Sequence, residues 1–126
     1  MIETSATPDA AAGALADLVA AIDDCIANLH DARKRAERLL DERHDGTSWL
    51  DIVSAESRPL VVETVSSVMS TLARAGSTFR REEAYALQSE KVSINRIAAL
   101  FGVTRQRISA LLRERASGEE PEALAD

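Results

Sequence analysis

The side chains best able to do chemistry in this sequence are cationic, and they are concentrated in one stretch. Residues 77–115 carry eight basic and four acidic side chains, a net charge of +4, whereas residues 1–76 carry seven basic and thirteen acidic ones. The last eleven residues add four acidic groups, which brings the whole chain to −6. A local excess of Arg and Lys attracts the phosphates of a nucleic acid. The pattern therefore predicts that any nucleic-acid contact lies within residues 77–115.

Other kinds of chemical site lack the residues that they need. His30 and His44 stand fourteen residues apart, and no Cys or carboxylate cluster joins them at the spacing of metal ligands. The sequence has no glycine-rich phosphate-binding loop. Cys25 is the single cysteine, so an internal disulfide is excluded and a buried, inert thiol is expected. We therefore expect no enzyme, no metal and no cofactor.

Residues 93–113 predict two short helices joined by a tight turn. Ser93 and Thr104 are typical of residues that cap a helix N-terminus, and Gly102 can adopt the positive φ that ends the first helix. Ala98 is small where the second helix must approach, and Val103 is expected to tuck under the turn. The expected inner face consists of Ile97, Leu100, Phe101, Ile108, Leu111 and Leu112. Two helices joined in this way form a helix-turn-helix unit.

A helix preceding this unit would complete a three-helix domain. Ser77 or Thr78 is expected to cap it, and it is expected to run from Phe79 to about Lys91. The side chains expected to point inward are Phe79, Ala84, Tyr85 and Leu87.

Residues 80–113 resemble the three-helix DNA-binding domain of resolvases and DNA invertases, and they are similar to many small bacterial transcription regulators. The matching residues are Ala98, the run Gly102–Ser109, and the apolar residues Ile97, Val103, Ile108 and Leu111. The resemblance covers about a quarter of the chain and does not extend to residues 1–76, where nothing resembles a recombinase catalytic domain.

This resemblance implies that residues 104–113 form the recognition helix, which lies in the major groove of double-stranded DNA. Arg can donate two hydrogen bonds to guanine, and Gln can pair with adenine. The candidates for base contacts are Arg105, Gln106, Ser109 and Arg113. The candidates for phosphate contacts are Lys91, Ser93, Arg96, Thr104 and Arg107. The alternative for any one arginine is a solvated surface charge.

A heptad repeat of apolar residues fills the N-terminal third of the chain. Thr7, Pro8 and Asp9 predict the start of a helix, and Gly46 predicts its left-handed end. The two heptad positions are occupied by Leu15, Leu18, Ile22, Cys25, Leu29, Ala32, Ala36 and Leu39. A helix of about 36 residues is about 54 Å long, more than the rest of so short a chain can cover. The repeat therefore predicts a homodimer through these residues.

Two features qualify the dimer prediction. Val19, Ile26 and Leu40 widen the apolar stripe, which indicates contact with a third helix from the same chain or from a partner. The alternative to the dimer is a helix packed within an intramolecular bundle.

The middle of the chain predicts two further helices. Ser48 is expected to cap a short one, in which Trp49 is expected to fill the core rather than line a ligand pocket. Pro59 is expected to open a longer one that ends at Gly76. Its apolar face is expected to hold Val61, Val65, Val68 and Leu72.

Composition and the order of these segments predict an all-α fold. Only four residues are aromatic, so a core must be built from Ala, Leu, Ile and Val. We expect a flexible N-terminus (1–8), a helical dimerisation region (9–76), a helix-turn-helix domain (77–115) and a disordered acidic tail (116–126). With neither a signal peptide nor an apolar span of about 20 residues, the chain is expected to be cytoplasmic and nucleoid-associated, with no membrane contact.

These patterns together predict sequence-specific binding of double-stranded DNA by a homodimeric transcriptional regulator whose site is palindromic. One alternative is an adaptor whose residues 9–76 bind a partner protein and whose helix-turn-helix delivers that partner to DNA. Another is a nucleoid-associated protein that binds DNA without sequence preference.

Overall fold

The computed structural model describes residues 9–118, and every regular element within that range is an α-helix. The five helices are α1 (Ala10–His44), α2 (Trp49–Ala55), α3 (Val61–Ser89), α4 (Ile94–Phe101) and α5 (Arg105–Ser117). The predicted all-α fold is confirmed. No helix in this part of the chain is both long and apolar enough to cross a bilayer. The proposed start signals Thr7 and Pro8 lie outside the described residues.

The ends of α1 and the start of α2 follow from local hydrogen bonds. A side-chain oxygen of Asp9 accepts from the backbone N–H of Ala12 at 3.0 Å, which satisfies one free donor of the first turn of α1. Gly46 has a φ of 96°, and its N–H donates to Arg43 O, which confirms the left-handed end. The Ser48 hydroxyl accepts from the N–H of Asp51 at 3.1 Å and begins α2 as predicted.

Helix α3 differs from its prediction at both ends. It begins at Val61, two residues after Pro59, where the Glu63 carboxylate accepts from the N–H of Leu60 at 2.8 Å. It then runs through Gly76 and Ser77 to Ser89. The predicted helix end at Gly76 and the predicted cap at Ser77 or Thr78 are therefore wrong. Glycine inside a helix costs about 1 kcal/mol relative to alanine, which the packing of the surrounding residues can offset.

Residues 20–72 form one compact unit, and residues 9–19 with 73–118 form another. In the first unit, α1 and α3 make an antiparallel hairpin. The Cys25 thiol donates to Val68 O at 3.7 Å, and Arg35, ten residues further along α1, donates to Ser57 O and Pro59 O at 2.9 and 2.6 Å. The buried apolar side chains of this unit are Cys25, Ala32, Ile52 and Val68.

The hairpin corrects half of the predicted dimer interface. Cys25 and Ala32 are buried within the chain itself, and Leu18 and Leu39 on the same heptad position are half-buried. This position therefore serves packing within the chain, as the intramolecular alternative expected. The residues of the other heptad position stay exposed: Leu15, Ile22, Leu29 and Ala36.

Trp49 does not fill the core. Its side chain is 56% exposed, and the Arg43 guanidinium lies over the ring, 5.3 Å from its centroid. The core position of α2 is taken by Ile52 instead. The expectation of a core tryptophan is therefore wrong, because one short helix can bury only one side.

The second unit contains the start of α1, the end of α3, α4 and α5, and the last three of these surround a small core. The buried cluster consists of Ala84, Ile97, Ala98, Ile108 and Leu111. Leu87, Val92, Ile94, Phe101 and Leu112 pack around it. All of the larger side chains in this core are aliphatic apart from Phe101, as the composition predicted.

Candidate nucleic-acid interface

Three local features shape the connection between α4 and α5. The Ser93 hydroxyl accepts from the N–H of Arg96 at 3.2 Å, and the Thr104 hydroxyl accepts from the N–H of Arg107 at 3.1 Å. Gly102 ends α4 in the left-handed conformation, with φ at 68°. All three predicted roles are confirmed. The result is a tight turn of three residues, 102–104, between the two helices.

The buried side chains of α4 and α5 determine which face of α5 is free. Ile97 and Ala98 on α4 pack against Ile108 and Leu111 on α5, and Ala84 from α3 closes the cluster. Alanines at the two close positions leave space for the neighbouring helices to approach. With Ile108 and Leu111 turned inward, the opposite side of α5 must face outward.

Leu100 and Tyr85, predicted inside this core, lie at its surface, and so does Val103, predicted to tuck under the turn. Leu100 is 60% exposed because it lies roughly a third of a turn from the face formed by Ile97, Ala98 and Phe101. Val103 in the turn and Tyr85 on α3 are also exposed. The predictions for these three residues are wrong.

The outward side of α5 carries the four residues predicted to contact bases. Arg105, Gln106 and Arg113 are exposed and Ser109 is half-buried. The four side chains line one shallow depression. The structure thus brings together polar groups that the sequence placed within nine residues, and they can offer hydrogen bonds to a single ligand.

The residues predicted to contact phosphates are distributed around α4 and the first turn of α5. Lys91, Ser93, Arg96 and Thr104 are exposed, whereas Arg107 is half-buried. Both hydroxyl oxygens accept cap hydrogen bonds, and a hydroxyl can still donate its own proton.

Lys91 also has a backbone role that the sequence did not indicate. It follows α3 with a positive φ of 71°, the conformation that glycine usually adopts at a helix end. Its N–H donates to Gln88 O at 3.0 Å, and the N–H of Val92 donates to Leu87 O at 3.0 Å. These bonds close α3 and direct the chain toward α4.

Sequence reasoning missed an ion pair that joins α3 to the end of α5. Arg115 Nε lies 2.8 Å from a carboxylate oxygen of Glu82, and its guanidinium lies 3.5 Å from the centroid of the Tyr85 ring. The second oxygen of Glu82 lies 3.6 Å from Arg81 Nε. No local spacing could have predicted this pair, because Glu82 and Arg115 are 33 residues apart.

The ion pair changes which cations of residues 77–115 are open to solvent. Arg115 is occupied within the unit, so the cationic groups open to solvent are those nearer α4 and the outward side of α5. They include Arg80, Lys91, Arg96, Arg105 and Arg113. The Arg80 guanidinium lies 4.3 Å from the centroid of the Phe101 ring, at the end of α4.

The end of α5 extends further than predicted. Helical structure continues to Ser117, and Gly118 ends it with a φ of 75°. The expectation of disorder from residue 116 is therefore wrong for residues 116–118, and the rest of the acidic tail lies outside the described residues.

Within residues 9–118, no group of three or more His, Cys, Asp or Glu side chains could hold a metal ion. His30 and His44 are both exposed on α1. No protein-family model, curated protein or solved structure matches this chain significantly.

Proposed function

We propose that the protein binds double-stranded DNA in a sequence-specific manner, with α4 and α5 as a helix-turn-helix and α5 as the recognition helix. One observation carries the proposal. Arg105, Gln106, Ser109 and Arg113 share one open depression on the side of α5 opposite its buried residues. These side chains supply the donors and acceptors that read base edges in the major groove.

The dimensions of α5 suit this role. Its 13 residues span about 20 Å, and the major groove, about 12 Å wide, admits an α-helix. Arg105 and Gln106 lie in the first turn, the part of a recognition helix that contacts base edges. Arg113 lies about 12 Å further along the axis, the rise of three to four base pairs. The polar side of α5 can therefore follow several consecutive base pairs.

The exposed cations around α4 supply the contacts that hold such a helix in place. Lys91 and Arg96 flank the start of α4, and Ser93 and Thr104 stand at the N-termini of α4 and α5. The free N–H groups of a helix N-terminus and a neighbouring cation favour phosphate. These contacts carry no sequence information, so they orient the helix while its outward side reads bases.

A single head of this size makes few phosphate contacts and is expected to bind weakly. Joining two heads in a homodimer makes the second contact intramolecular and can raise affinity by about 10² to 10⁴. We therefore propose a homodimeric transcriptional regulator that binds a palindromic site.

The test is selection of bound duplexes from a random library by the full chain, followed by fluorescence anisotropy on the recovered site and on a scrambled duplex. Replacing Arg105 and Gln106 together with alanine should weaken binding to the site by at least about 30-fold, because two bidentate base contacts at about 1–3 kcal/mol each discriminate by about 2–6 kcal/mol in total. Binding to the scrambled duplex should change much less.

Arg74→Ala is the charge-matched control, because it removes an exposed cation from α3 outside the proposed surface. It should leave the preference for the site unchanged. If the Arg105→Ala, Gln106→Ala variant keeps the wild-type preference, α5 does not read the sequence. If selection recovers no preferred site and binding falls steeply with salt, the protein binds DNA without specificity.

A further inference from the structure

The unit of residues 20–72 leaves an apolar stripe uncovered on α1. The exposed residues of this stripe are separated alternately by four and three residues along α1. They are Ile22, Ile26, Leu29, Arg33, Ala36 and Leu40, and all except Arg33 are apolar. This is the 3.5-residue repeat of a seam between packed helices. The stripe lies beside the line of Cys25 and Ala32 that packs within the hairpin, so α3 does not cover it.

Helix α3 carries a matching stripe. Val62, Val65 and Met69 are exposed and are separated by intervals of three and four residues. They lie beside Val68, the residue through which α3 meets Cys25. Both helices of the hairpin therefore have an apolar stripe next to their mutual contact.

The two stripes lie on the same side of the hairpin. At 3.6 residues per turn, the exposed apolar residues of α1 lie about 20–100° beyond Cys25 in the sense of increasing residue number, and those of α3 lie about 60–120° beyond Val68. Because the helices are antiparallel, these two rotations have opposite senses when seen from one end. They therefore bring both stripes to one side, which we call the hairpin face. The other side is polar and exposed, with Asp24, Asp31, Arg38, Glu63 and Ser67.

We propose that a second copy of this chain covers the hairpin face, so that two hairpins form a four-helix bundle. The surface consists of Ile22, Ile26, Leu29, Leu40, Val62, Val65 and Met69. Their exposures of 38% to 73% leave roughly 600 Å² of apolar surface on each copy, or about 1,200 Å² in a dimer, at the lower bound of specific interfaces. A single patch of this size lies at the upper limit for a typical monomer. Two hairpins that each have one apolar and one polar side can bury their apolar sides against each other across a two-fold axis, which forms a closed four-helix bundle.

Charge favours one arrangement of the two copies. Arg33 is the single charged residue within the α1 stripe, and a parallel, in-register pairing would place it against Arg33 of the second copy. In an antiparallel pairing, Ile26 of one copy can lie opposite Leu29 of the second copy. Arg33 then lies opposite Ile22 of the second copy, next to the exposed carboxylate of Asp23. Within its own helix, Arg33 Nε lies 3.8 Å from a carboxylate oxygen of Glu37, and both side chains are exposed. The antiparallel arrangement adds Asp23 of the second copy as a further carboxylate beside Arg33, so the bundle pairs α1 with an antiparallel α1 of the second copy.

This surface differs from the interface predicted by the heptad repeat, because it keeps only Ile22 and Leu29 of the eight predicted residues and includes residues of α3. It also belongs to the compact unit that lacks α4 and α5, so its test requires no DNA and is independent of the proposed DNA binding.

The test is sedimentation equilibrium of the full chain from about 1 to 100 µM, because an interface of about 1,200 Å² lies at the small end of the size range, where weak pairs are found. The wild type should form a dimer. Ile26→Glu and Met69→Glu should each raise the dissociation constant by at least about 100-fold, because each buries an unpaired carboxylate. Ser67→Glu, which adds the same charge to the polar side of α3, should leave it within about twofold of the wild type. Circular dichroism should show unchanged helix content in all three.

The arrangement has its own test by charge reversal. Arg33→Asp should weaken the dimer by placing two carboxylates together, and Asp23→Arg added to it should recover most of the lost affinity, although position 33 keeps Glu37 of its own helix as a neighbour. A wild type that stays monomeric at 100 µM overturns the proposal. So does a dimer that neither Ile26→Glu nor Met69→Glu weakens. A dimer that the double reversal fails to restore overturns the antiparallel arrangement.

Discussion

Gly76 provides a direct test of the continuous α3 helix, because substitution by alanine should change stability in opposite directions in the two possible structures. In α3, Gly76 is a helical residue, and a Cβ built on it meets no heavy atom within 4 Å. Gly76→Ala therefore introduces no clash. It should stabilise the protein by about 0.5–1 kcal/mol, through helix propensity and lower entropy of the unfolded chain.

A helix that ended at Gly76 would respond differently. The glycine would then adopt a positive φ, and alanine in that conformation costs roughly 1–2 kcal/mol. Gly102 supplies the matched control, because it has a φ of 68° and a Cβ there also meets nothing within 4 Å. Gly102→Ala should therefore destabilise the protein by backbone strain alone.

Urea unfolding followed by circular dichroism at one protein concentration measures both effects, because any dimer makes the midpoint depend on concentration. Gly76→Ala should raise the midpoint and Gly102→Ala should lower it, with an unchanged dependence on urea. The reasoning is refuted if Gly76→Ala lowers the midpoint as Gly102→Ala does.

Three further predictions concern single side chains. Arg115→Ala should lower stability by about 1–3 kcal/mol in urea unfolding, because the partly buried Glu82 carboxylate then loses its 2.8 Å contact and keeps the longer one to Arg81. Arg113→Ala should leave stability within about 0.5 kcal/mol, and equal losses would contradict the role of the ion pair. Ala32→Leu should destabilise the monomer by about 1–3 kcal/mol in the same assay, because Ala32 is buried within the hairpin, and a stabilised protein would contradict that position. The pKa of Glu63 lies below its usual 4.5, because the carboxylate accepts a hydrogen bond from Leu60 N–H and lies beside Arg58. The ionised carboxylate therefore stabilises the folded protein fully above about pH 4.5, and this contribution is lost as the pH falls through the lower folded-state pKa. Glu63→Gln should therefore flatten the fall in stability below about pH 4.5, and an unchanged acid profile of urea midpoints would show that this carboxylate does not contribute.

Local sequence signals determined several caps and turns of this protein, although not the left-handed end of α3 at Lys91. Ser48, Ser93 and Thr104 each accept a hydrogen bond from a backbone N–H three residues later, and Gly46 and Gly102 adopt a positive φ. Such features depend on neighbouring residues only, so their physical cause is visible in a short stretch of sequence. The polar side of α5 was predictable for the same reason, because a helix places residues on faces by spacing alone.

Contacts between distant residues decided the rest. A glycine followed by a serine is also the local signature of a helix end and a new cap, and only the packing of α3 keeps the helix continuous through Gly76. The heptad repeat on α1 showed two apolar positions without showing which of them faces the chain itself. Cys25 faces the chain itself because α3 packs back against α1, where the Cys25 thiol contacts Val68 O, 43 positions away. The sequence alone thus determined where most of the helices lie and which sides of them are apolar. The tertiary structure decided that α3 continues through Gly76 and which apolar sides are already covered, because burial depends on elements that meet only when the chain folds.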